Sequence, residues 1–328
     1  MKNRDLFELK KSNTLTVLSH GLGQDSSTLL EMLIDDPEFR QKYAPNDLLV
    51  VTSDTGNEFE LTYKHLSWTK KRCAEAGIEY IHITPDMGFH SASWQSLQHF
   101  YKEKNAIGSK AYPKTCSDNL KIQPIYKAIS RFSLADKYGF KEDKKRNFRA
   151  FAATHGKIQM LIGISKGEEK RMSDASESPK RWYRESIEHV YPLVDLGMDR
   201  QACQDYLHAR DMYVIPSNCK MCPFLSIEEL EYLRRFHPVD LDEWVNLEAA
   251  KLEKYRDQEN VIVTDKATGE PKLDRNGNIK TKNNNYGVFG VVALPKKIEE
   301  AKNKFVNWSD ERVREYRYSH GHCVSTAY

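Results

Sequence analysis

The chain has 328 residues, of which 39% are hydrophobic, 11% aromatic and 30% charged, so wholesale disorder is excluded and the length fits one large domain or two modest ones. The formal net charge of +3 excludes a chain that is basic throughout, so an affinity for nucleic acid would need a local basic surface. No apolar run approaches the roughly 20 residues of a membrane span and residues 1–11 do not resemble a signal peptide, so we expect a cytoplasmic protein without a membrane partner.

Short apolar, β-branched segments predict four strands, at residues 14–19, 48–53, 79–83 and 159–164. Segments with a helical pattern lie between these strands, at 26–33, where a helix begins, and at 58–76, 121–138 and 146–155. Strands that are apolar on both faces and alternate with helices are typical of a parallel sheet covered on both sides. The sequence therefore predicts an α/β fold with a Rossmann-like parallel sheet.

The pattern changes after about residue 195. Helices are predicted at 199–210, 226–236, 240–257, 296–305 and 309–316. Residues 261–292 are predicted to form β-hairpins, with Asn276-Gly277 as a turn. We therefore expect a nucleotide-binding domain over 1–236 and a mostly helical C-terminal extension over 237–328, with the hairpins inserted in it.

A Gly-rich turn separates the first predicted strand from the first helix, with the sequence SHGLGQDSS at residues 19–27. Gly21 and Gly23 let backbone N–H groups approach an anion, and the helix N-terminus adds partial positive charge. Ser26 and Ser27 can cap the helix and donate hydrogen bonds to phosphate oxygens. The turn lacks the ending of a Walker A loop and the spacing of a dinucleotide fingerprint. It therefore indicates another kind of phosphate site, or an ordinary helix cap.

The segment SDTGNE, at residues 53–58, directly follows the second strand. Asp54 offers an acceptor and Thr55 a hydroxyl for ribose or adenine edges, and Gly56 allows close approach. Ligands of open α/β sheets bind beside such strand ends. The segment also suits the N-cap of the next helix, and the two interpretations are compatible.

The cysteines indicate a second candidate site, for a metal or for redox chemistry. Cys219 and Cys222 form a Cys-x₂-Cys turn, which presents two thiolates to one metal in a reduced compartment. Two thiolates are half a site, and we expect Cys116 and Cys323 to complete it. A redox-active dithiol or a plain buried pair is the alternative. The two cysteines within amphipathic helix patterns are predicted to be small buried hydrophobic residues.

Five segments, in this order, resemble the phosphoadenosine phosphosulfate (PAPS) reductase-like members of the PP-loop ATP pyrophosphatase family, in the adenine nucleotide alpha-hydrolase superfamily. They are residues 19–27, 53–58, 114–125 (KTCSDNLKIQPI), 163–171 (GISKGEEKR), and 191–195 (YPLVD) followed by 219–224 (CKMCPF). The resemblance covers about residues 12–236 and implies a HUP-type sheet. The chain departs from the family in having Cys116-Ser117 where cluster-containing members have a Cys pair, and Ser165 in place of an arginine.

The resemblance implies that ATP binds with Mg²⁺ and is cleaved between its α and β phosphates, so that an acceptor is adenylated and pyrophosphate is released. The implied nucleotide-binding residues are Ser19, Gly21, Gly23, Gln24, Asp25, Ser26, Ser27, Asp54, Thr55, Gly56, Gly163 and Glu168. The implied catalytic residues are Asp25, which assists the metal, Lys121 and Arg171, which neutralise phosphate charge, and Cys323. A [4Fe-4S] cluster or Zn²⁺ on Cys116, Cys219, Cys222 and Cys323 would carry or deliver the sulfur that then displaces AMP.

Family members that thiolate tRNA bases, or that put sulfur into the DNA backbone, imply a DNA or tRNA substrate and a sulfur donor such as a cysteine desulfurase. The relatives' frequent origin in phages and mobile elements fits DNA modification or defence. Residues 261–292 could serve as the arm of a homodimer.

Two alternative functions belong to different functional classes. A reductase of PAPS or adenylyl sulfate would use thioredoxin and a mobile Cys323, in the tail SHGHCVS at residues 319–325, without hydrolysing ATP. A nucleotide-binding or nucleic-acid-binding module with structural zinc would turn over no nucleotide.

Two segments with more basic than acidic residues bear on the identity of the acceptor. Residues 141–184 contain twelve Lys or Arg against six Asp or Glu. Residues 260–328 contain twelve against eight. Six basic or aromatic residues in the first segment are candidates for contact with nucleic acid, namely Arg146, Arg149, Lys180, Arg181, Trp182 and Arg184. A solvated helix face is the alternative for each of them.

Overall fold

The computed structural model describes residues 15–141 and 144–320. Its centre is a parallel sheet of five strands: β1 (Leu15–Ser19), β2 (Asp47–Ser53), β3 (Glu79–Ile83), β4 (Ile158–Ile162) and β5 (Ile187–Val190). The strand order is β3-β2-β1-β4-β5, so the direction of winding reverses between β1 and β4. A crevice opens at the carboxyl ends of two such strands, and ligands of open α/β sheets bind there. The predicted Rossmann-like α/β fold is confirmed.

Helices cover both faces of this sheet. Those of the described residues are α1 (Gln24–Asp35), α2 (Pro37–Tyr43), α3 (Glu60–Glu75), α4 (Leu97–Lys104), α5 (Gln123–Ala128), α6 (Lys144–His155), α7 (Arg181–Ser186), α8 (Pro192–Asp195), α9 (Arg200–His208), α10 (Ile227–Phe236), α11 (Pro238–Lys254), α12 (Leu294–Lys304) and α13 (Asp310–His320). The π-helical segments Asp118–Ile122 and Ile129–Lys137 flank α5 and form one continuous helix with it. None of the helices in residues 15–141 and 144–320 has a stretch both long and apolar enough to span a bilayer.

Alternation of side chains along the strands explains the two-sided packing. Val17 of β1 belongs to an apolar core on one face, together with Ile129 of the continuous helix and Phe151 of α6. Leu18, the next residue, belongs to the core on the other face, together with Leu30 of α1. Successive residues of a strand point to opposite faces, so a run of apolar residues buries both. This packing fixes the position of the turn between β1 and α1.

A third apolar core lies beside the sheet. It includes Leu97, Leu120 and Cys222 together with Trp244 and Val288, so it takes residues from both sides of position 236. The division of the chain into 1–236 and 237–328 stays a prediction. Within the C-terminal part, β6 (Val261–Ile262) pairs antiparallel with β7 (Thr281–Lys282). The predicted hairpin excursion is therefore confirmed.

Sequence patterns missed five strands or α-helices of the described residues, namely β5, α2, α4, α7 and α8. The β5 strand has only four residues, Ile-Glu-His-Val, two of them polar, and lies at the edge of the described sheet beside β4. Its burial is correspondingly partial. The α2 and α4 helices span seven and eight residues, which is too short for a clear helical period.

Candidate nucleotide and cysteine site

The turn after β1 brings backbone amides and the start of α1 to the crevice between β1 and β4. The N–H of Ser27 donates to the carbonyl oxygen of Gly23 at 3.0 Å, which closes the first helical turn. The hydroxyl of Ser26 accepts from the N–H of Gly21 and donates to the oxygen of Gly23, at 3.2 Å each. These bonds hold the turn against the positive end of a 12-residue helix. The arrangement suits an anion.

An open cleft of about 970 Å³ lies along this turn. Its lining includes eight of the residues predicted to bind nucleotide or act in catalysis, namely Ser19, Gly21, Gln24, Asp25, Ser26, Lys121, Gly163 and Arg171. Its lining also includes Lys114 and Arg200, which the sequence analysis did not single out as site residues. Four cationic side chains and one carboxylate, that of Asp25, therefore line the cleft. Glu168 pairs with Arg171 and Arg200, and Glu58 with Lys121, and the positive charge that remains is complementary to a polyphosphate.

Gly163 follows β4 and lies against the first turn of α1. A Cβ atom at Gly163 would stand 2.8 Å from the backbone nitrogen of Ser26. Any side chain at position 163 would therefore push the helix away from the strand end. The sequence indicated a functional loop at this point, and the structure adds this close contact between backbones.

Glu168 lies between two arginines rather than on the open face of the cleft. Its carboxylate accepts from Arg171 Nη1 at 2.5 Å and from Arg200 Nη2 at 2.7 Å. The three side chains are each about one-fifth exposed. Glu168 thus positions both guanidinium groups at the cleft. Its predicted contact with nucleotide stays a prediction, and the arginine pairing is what the structure shows.

Cys116, Cys219 and Cys222 line one small cavity next to the cleft. The structure brings these three cysteines together from two distant segments, and their role as metal ligands stays a prediction. Lys114, Ser117 and Lys121 line both the cysteine cavity and the cleft. The two sites thus share a wall formed by the residues around Cys116.

The thiol of the partly buried Cys219 has a polar environment. It donates to Thr55 Oγ1 at 3.3 Å and lies 3.8 Å from Glu58 Oε1. Burial, and then the charge of Glu58, raise the pKa of this thiol well above its usual range. Lys121 lowers the pKa, and its Nζ lies 3.4 Å from the same Glu58 oxygen. A bound cation would reverse the balance, because metal coordination stabilises the thiolate.

The Cys-x₂-Cys turn is anchored to the end of β2. Asn57 accepts the N–H of Lys220 on its carbonyl oxygen at 2.8 Å and the N–H of Met221 on Oδ1 at 2.9 Å. The Nζ of Lys220 reaches Glu60 at 3.1 Å and Asp240 at 2.9 Å. Glu60 and Asp240, with His237, are grouped closely enough to hold a metal, but the ammonium group of Lys220 already occupies their carboxylates. We interpret this group as an ion-pair anchor for the turn.

Helix α13 fixes the segment before the Cys-x₂-Cys turn. The buried Arg317 donates through Nη2 to the carbonyl oxygen of Pro216 at 2.8 Å and to Asn218 Oδ1 at 2.5 Å. Ser217, between them, lies against Gly23 of the turn after β1. No sequence signal indicated this contact, because Arg317 is 99 and 101 residues from its partners.

Three predicted nucleotide ligands have other partners. The hydroxyl of Ser27 is buried and lies 2.8 Å from His65 Nε2 and 3.4 Å from His20 Nε2. Gln24, which lines the cleft, donates through Nε2 to the backbone oxygens of Val214 and Tyr318. Gly23 contacts Ser217. These residues build the turn, and their contact with nucleotide stays a prediction.

The segment after β2 lies toward the cysteine cavity. Thr55 lines that cavity and donates to Glu58 Oε1 at 3.0 Å. Asp54 Oδ1 accepts from the N–H of Gly56 at 2.8 Å and from the hydroxyl of Tyr63 at 2.9 Å. None of Asp54, Thr55 and Gly56 is among the described residues that line the cleft. Their predicted role beside ribose and adenine is untested by this geometry and stays a prediction.

The remaining cysteines divide in the predicted way where they are described. Cys73 and Cys203 are fully buried in the apolar core on the α1 face of the sheet. Burial raises the pKa of each of these thiols to about 12. Cys323, the predicted fourth ligand and catalytic thiol, lies outside the described residues.

A second, smaller cavity continues from the cleft toward β5. It shares five residues with the cleft, namely Ser19, Ile122, Ile125, Ile162 and Arg171. Its far wall is aromatic, and we call it the tyrosine cavity after Tyr126, Tyr183 and Tyr191. Tyr183 bonds with Tyr126 at 2.9 Å and with His189 Nε2 at 2.7 Å. These rings and hydroxyls form a rigid wall that suits a flat heterocycle.

No protein-family model matches the chain. No curated protein matches it either. Among solved structures it is similar to the U34-tRNA thiolase NcsA from Methanococcus maripaludis, determined with its [4Fe-4S] cluster, at 15% sequence identity and a TM-score of 0.37. The match covers 64% of this chain and 61% of that one.

Proposed function

We propose that this protein binds ATP in the cleft, adenylates an acceptor and supports sulfur transfer at a cysteine-bound metal centre. One observation carries the proposal: Lys114, Ser117 and Lys121 line both the cleft and the cysteine cavity. A polyphosphate site and a group of three thiols therefore share a wall. An ordinary ATP-binding protein needs no such cavity, and a structural metal site needs no cationic cleft beside it.

The phosphates would lie on the turn between β1 and α1. Its amides and the start of α1 face the cleft, and four cations surround it. Asp25 supplies the carboxylate through which Mg²⁺ would be held together with phosphate oxygens. Lys121 and Arg171 would neutralise charge as the bond between the α and β phosphates breaks. The contribution of the protein is then positioning and charge stabilisation.

The three thiols fit a cluster better than a compact zinc site. In a tetrahedral zinc site with Zn–S bonds of about 2.3 Å, the sulfur atoms lie roughly 3.8 Å apart. Within the described part of the chain, no group of three ligand atoms that includes a cysteine lies within 4.8 Å. At least one distance among the sulfur atoms of Cys116, Cys219 and Cys222 is therefore longer than in a compact zinc site, which favours an iron–sulfur cluster. Such a cluster, when bound by three cysteines, supplies an iron to which a sulfur species can bind.

The chemistry balances in two displacements. An acceptor oxygen attacks the α phosphorus, the bond to the β-phosphate oxygen breaks, and pyrophosphate leaves with its electron pair. A sulfur nucleophile then attacks the carbon that bears the adenylated oxygen, and AMP leaves. We favour a nucleic acid as the acceptor. A PAPS reductase would instead depend on the thiol of Cys323 and thioredoxin.

Metal analysis of protein purified without oxygen tests the proposal. We expect iron and acid-labile sulfide, lost in Cys116→Ser, Cys219→Ser and Cys222→Ser. Cys203→Ala is the matched control, because this thiol lies in a different core. Pyrophosphate release from ATP is measured on the same preparations. Zinc without iron would overturn sulfur transfer, and turnover that requires Cys323 but no metal would replace the proposal with the reductase.

A further inference from the structure

A groove of about 940 Å³ lies beside the tyrosine cavity, between α6 and the start of α7. Its walls carry five cationic side chains, from Lys145, Arg146, Arg149, Lys180 and Arg181. Gln123 and Trp182 complete the lining, and no acidic residue of the described part of the chain lines it. We call this the basic groove. It gathers five of the six residues that the sequence analysis singled out from the basic segment 141–184, together with Lys145.

Nearby charges leave the groove strongly positive. Glu185, just outside the lining, pairs with Arg149 at 2.8 Å and with Arg181 at 2.7 Å. This one carboxylate holds two guanidinium groups in place while neutralising a single charge. Within the described residues, no ion pair involves Lys145, Arg146 or Lys180. Fixed arginines beside exposed lysines are a surface suited to successive phosphates.

The sixth candidate has a different role. Arg184 donates through Nη1 to the carbonyl oxygen of Ser178 at 2.7 Å and does not line the basic groove. It holds the loop that leads to Lys180. The basic groove is therefore a selected set of cations, not every cation in the segment.

The basic groove and the tyrosine cavity are neighbours through adjacent residues on both walls. On one wall, Gln123 lines the groove and Ile122 lines the cavity. On the other, Trp182 lines the groove and Tyr183 lines the cavity. The ring of Trp182 is held edge-on to Tyr126, with the ring centroids 5.6 Å apart. A ligand in the groove thus lies next to the cavity that leads to the cleft.

We propose that the basic groove binds the sugar–phosphate backbone of a single-stranded nucleic acid, beside the tyrosine cavity. Five cations in one groove match the charge of a polynucleotide, and an aromatic wall next to them suits unstacked bases. A duplex keeps its bases stacked and presents none to that wall. The assignment of this ligand as the acceptor rests on the proposed function, whereas binding to the groove does not.

Fluorescence anisotropy of labelled homopolymers of about 12 nucleotides, within the usual single-strand site size, tests the inference. The probes are uridine RNA, thymidine DNA and a duplex of the same length, titrated with the full chain without ATP. We expect both single strands to bind more tightly than the duplex. Arg146→Glu with Lys180→Glu should weaken binding roughly tenfold or more and lower the slope of log K against log salt by about 1.4, or about 0.7 for each lost phosphate contact.

Lys64→Glu with Lys70→Glu is the matched control. It makes the same change in net charge on exposed positions of α3, and we expect wild-type affinity. Equal weakening by both double variants would show nonspecific attraction and overturn the inference, as would tighter binding of the duplex. Because these titrations contain no ATP, a failure of adenylation leaves their result intact. If the wild-type protein releases pyrophosphate from ATP but binds neither single strand, the inference about the groove is overturned and the proposed function is not.

Discussion

Gly23 and Ser217 join the two halves of the candidate site. A Cβ atom at Gly23 would stand 2.7 Å from Ser217 Oγ and 3.0 Å from the backbone nitrogen of Ser217. The turn that presents amides to the cleft therefore packs directly on the segment that leads into the Cys-x₂-Cys turn. Arg317 holds that segment from the opposite side through Pro216 and Asn218. Phosphate site and cysteine site are thus positioned by one contact.

Gly23→Ala should destabilise the fold. The added methyl group meets backbone as well as a hydroxyl, so the free energy of unfolding should fall by about 1–3 kcal/mol, as for other overpacked sites. Gly21→Ala is the matched control, because its Cβ would lie 3.6 Å from Ser217 Oγ, an ordinary contact distance. Urea unfolding followed by circular dichroism measures both. Equal stability of the two variants would contradict the close packing.

Glu168→Gln should weaken ATP binding although it makes the cleft more positive. Glu168 orients Arg171 and Arg200 through charged hydrogen bonds, and the amide cannot hold two guanidinium groups. We expect about a tenfold increase in Kd, equivalent to about 1.4 kcal/mol. Isothermal titration with a non-hydrolysable ATP analogue gives the value.

The neighbouring Glu169→Gln serves as its control, since the exposed Glu169 accepts from the N–H of Gly167 and has no ion pair with Arg171 or Arg200 among the described residues. We expect unchanged affinity there. Tighter binding by Glu168→Gln would mean that the carboxylate merely reduces the positive charge of the cleft and does not position the arginines.

Much of the fold could be predicted from local patterns in the sequence. Continuous apolar runs predicted β1, β2 and β4 because both faces of a covered parallel sheet are buried, whereas the edge strand β3 is only partly apolar and partly buried. The Gly-rich turn marked the start of α1. The Cys-x₂-Cys turn and Cys116 were recognised from residue type and spacing. In each case the information lies within a few adjacent residues.

Contacts between distant segments could not be predicted in this way. Arg200 reaches the cleft only because α9 packs on α1, and its sequence neighbourhood suggests an ordinary capped helix. Ser217 and Arg317 have no motif at all. The motif at residues 54–56 could be recognised in the sequence, but its surroundings could not. Thr55 lines the cysteine cavity because the Cys219 segment pairs with Glu58, and this contact joins distant parts of the chain.

A buried histidine pair beneath the turn after β1 predicts acid sensitivity. Burial, and then the nearby His65, lower the pKa of His20 from 6.5 to about 3, and burial lowers that of His65 to about 4. The folded state therefore keeps both rings neutral where the unfolded chain takes up protons. Their contribution to stability is present above pH 6.5 and is lost as the pH falls from 6.5 toward 3.

Between about pH 6 and 4.5, each such histidine should lower the free energy of unfolding by up to about 1.4 kcal/mol per pH unit. His20→Gln removes one of the two protons taken up on unfolding, so the slope should fall by about that amount. His99→Gln, on the exposed face of α4, is the matched control and should keep the wild-type slope. Urea unfolding at a series of pH values measures these slopes. An unchanged slope in His20→Gln would mean that this ring titrates alike in the folded and unfolded chains, which its burial against Ser27 and His65 argues against.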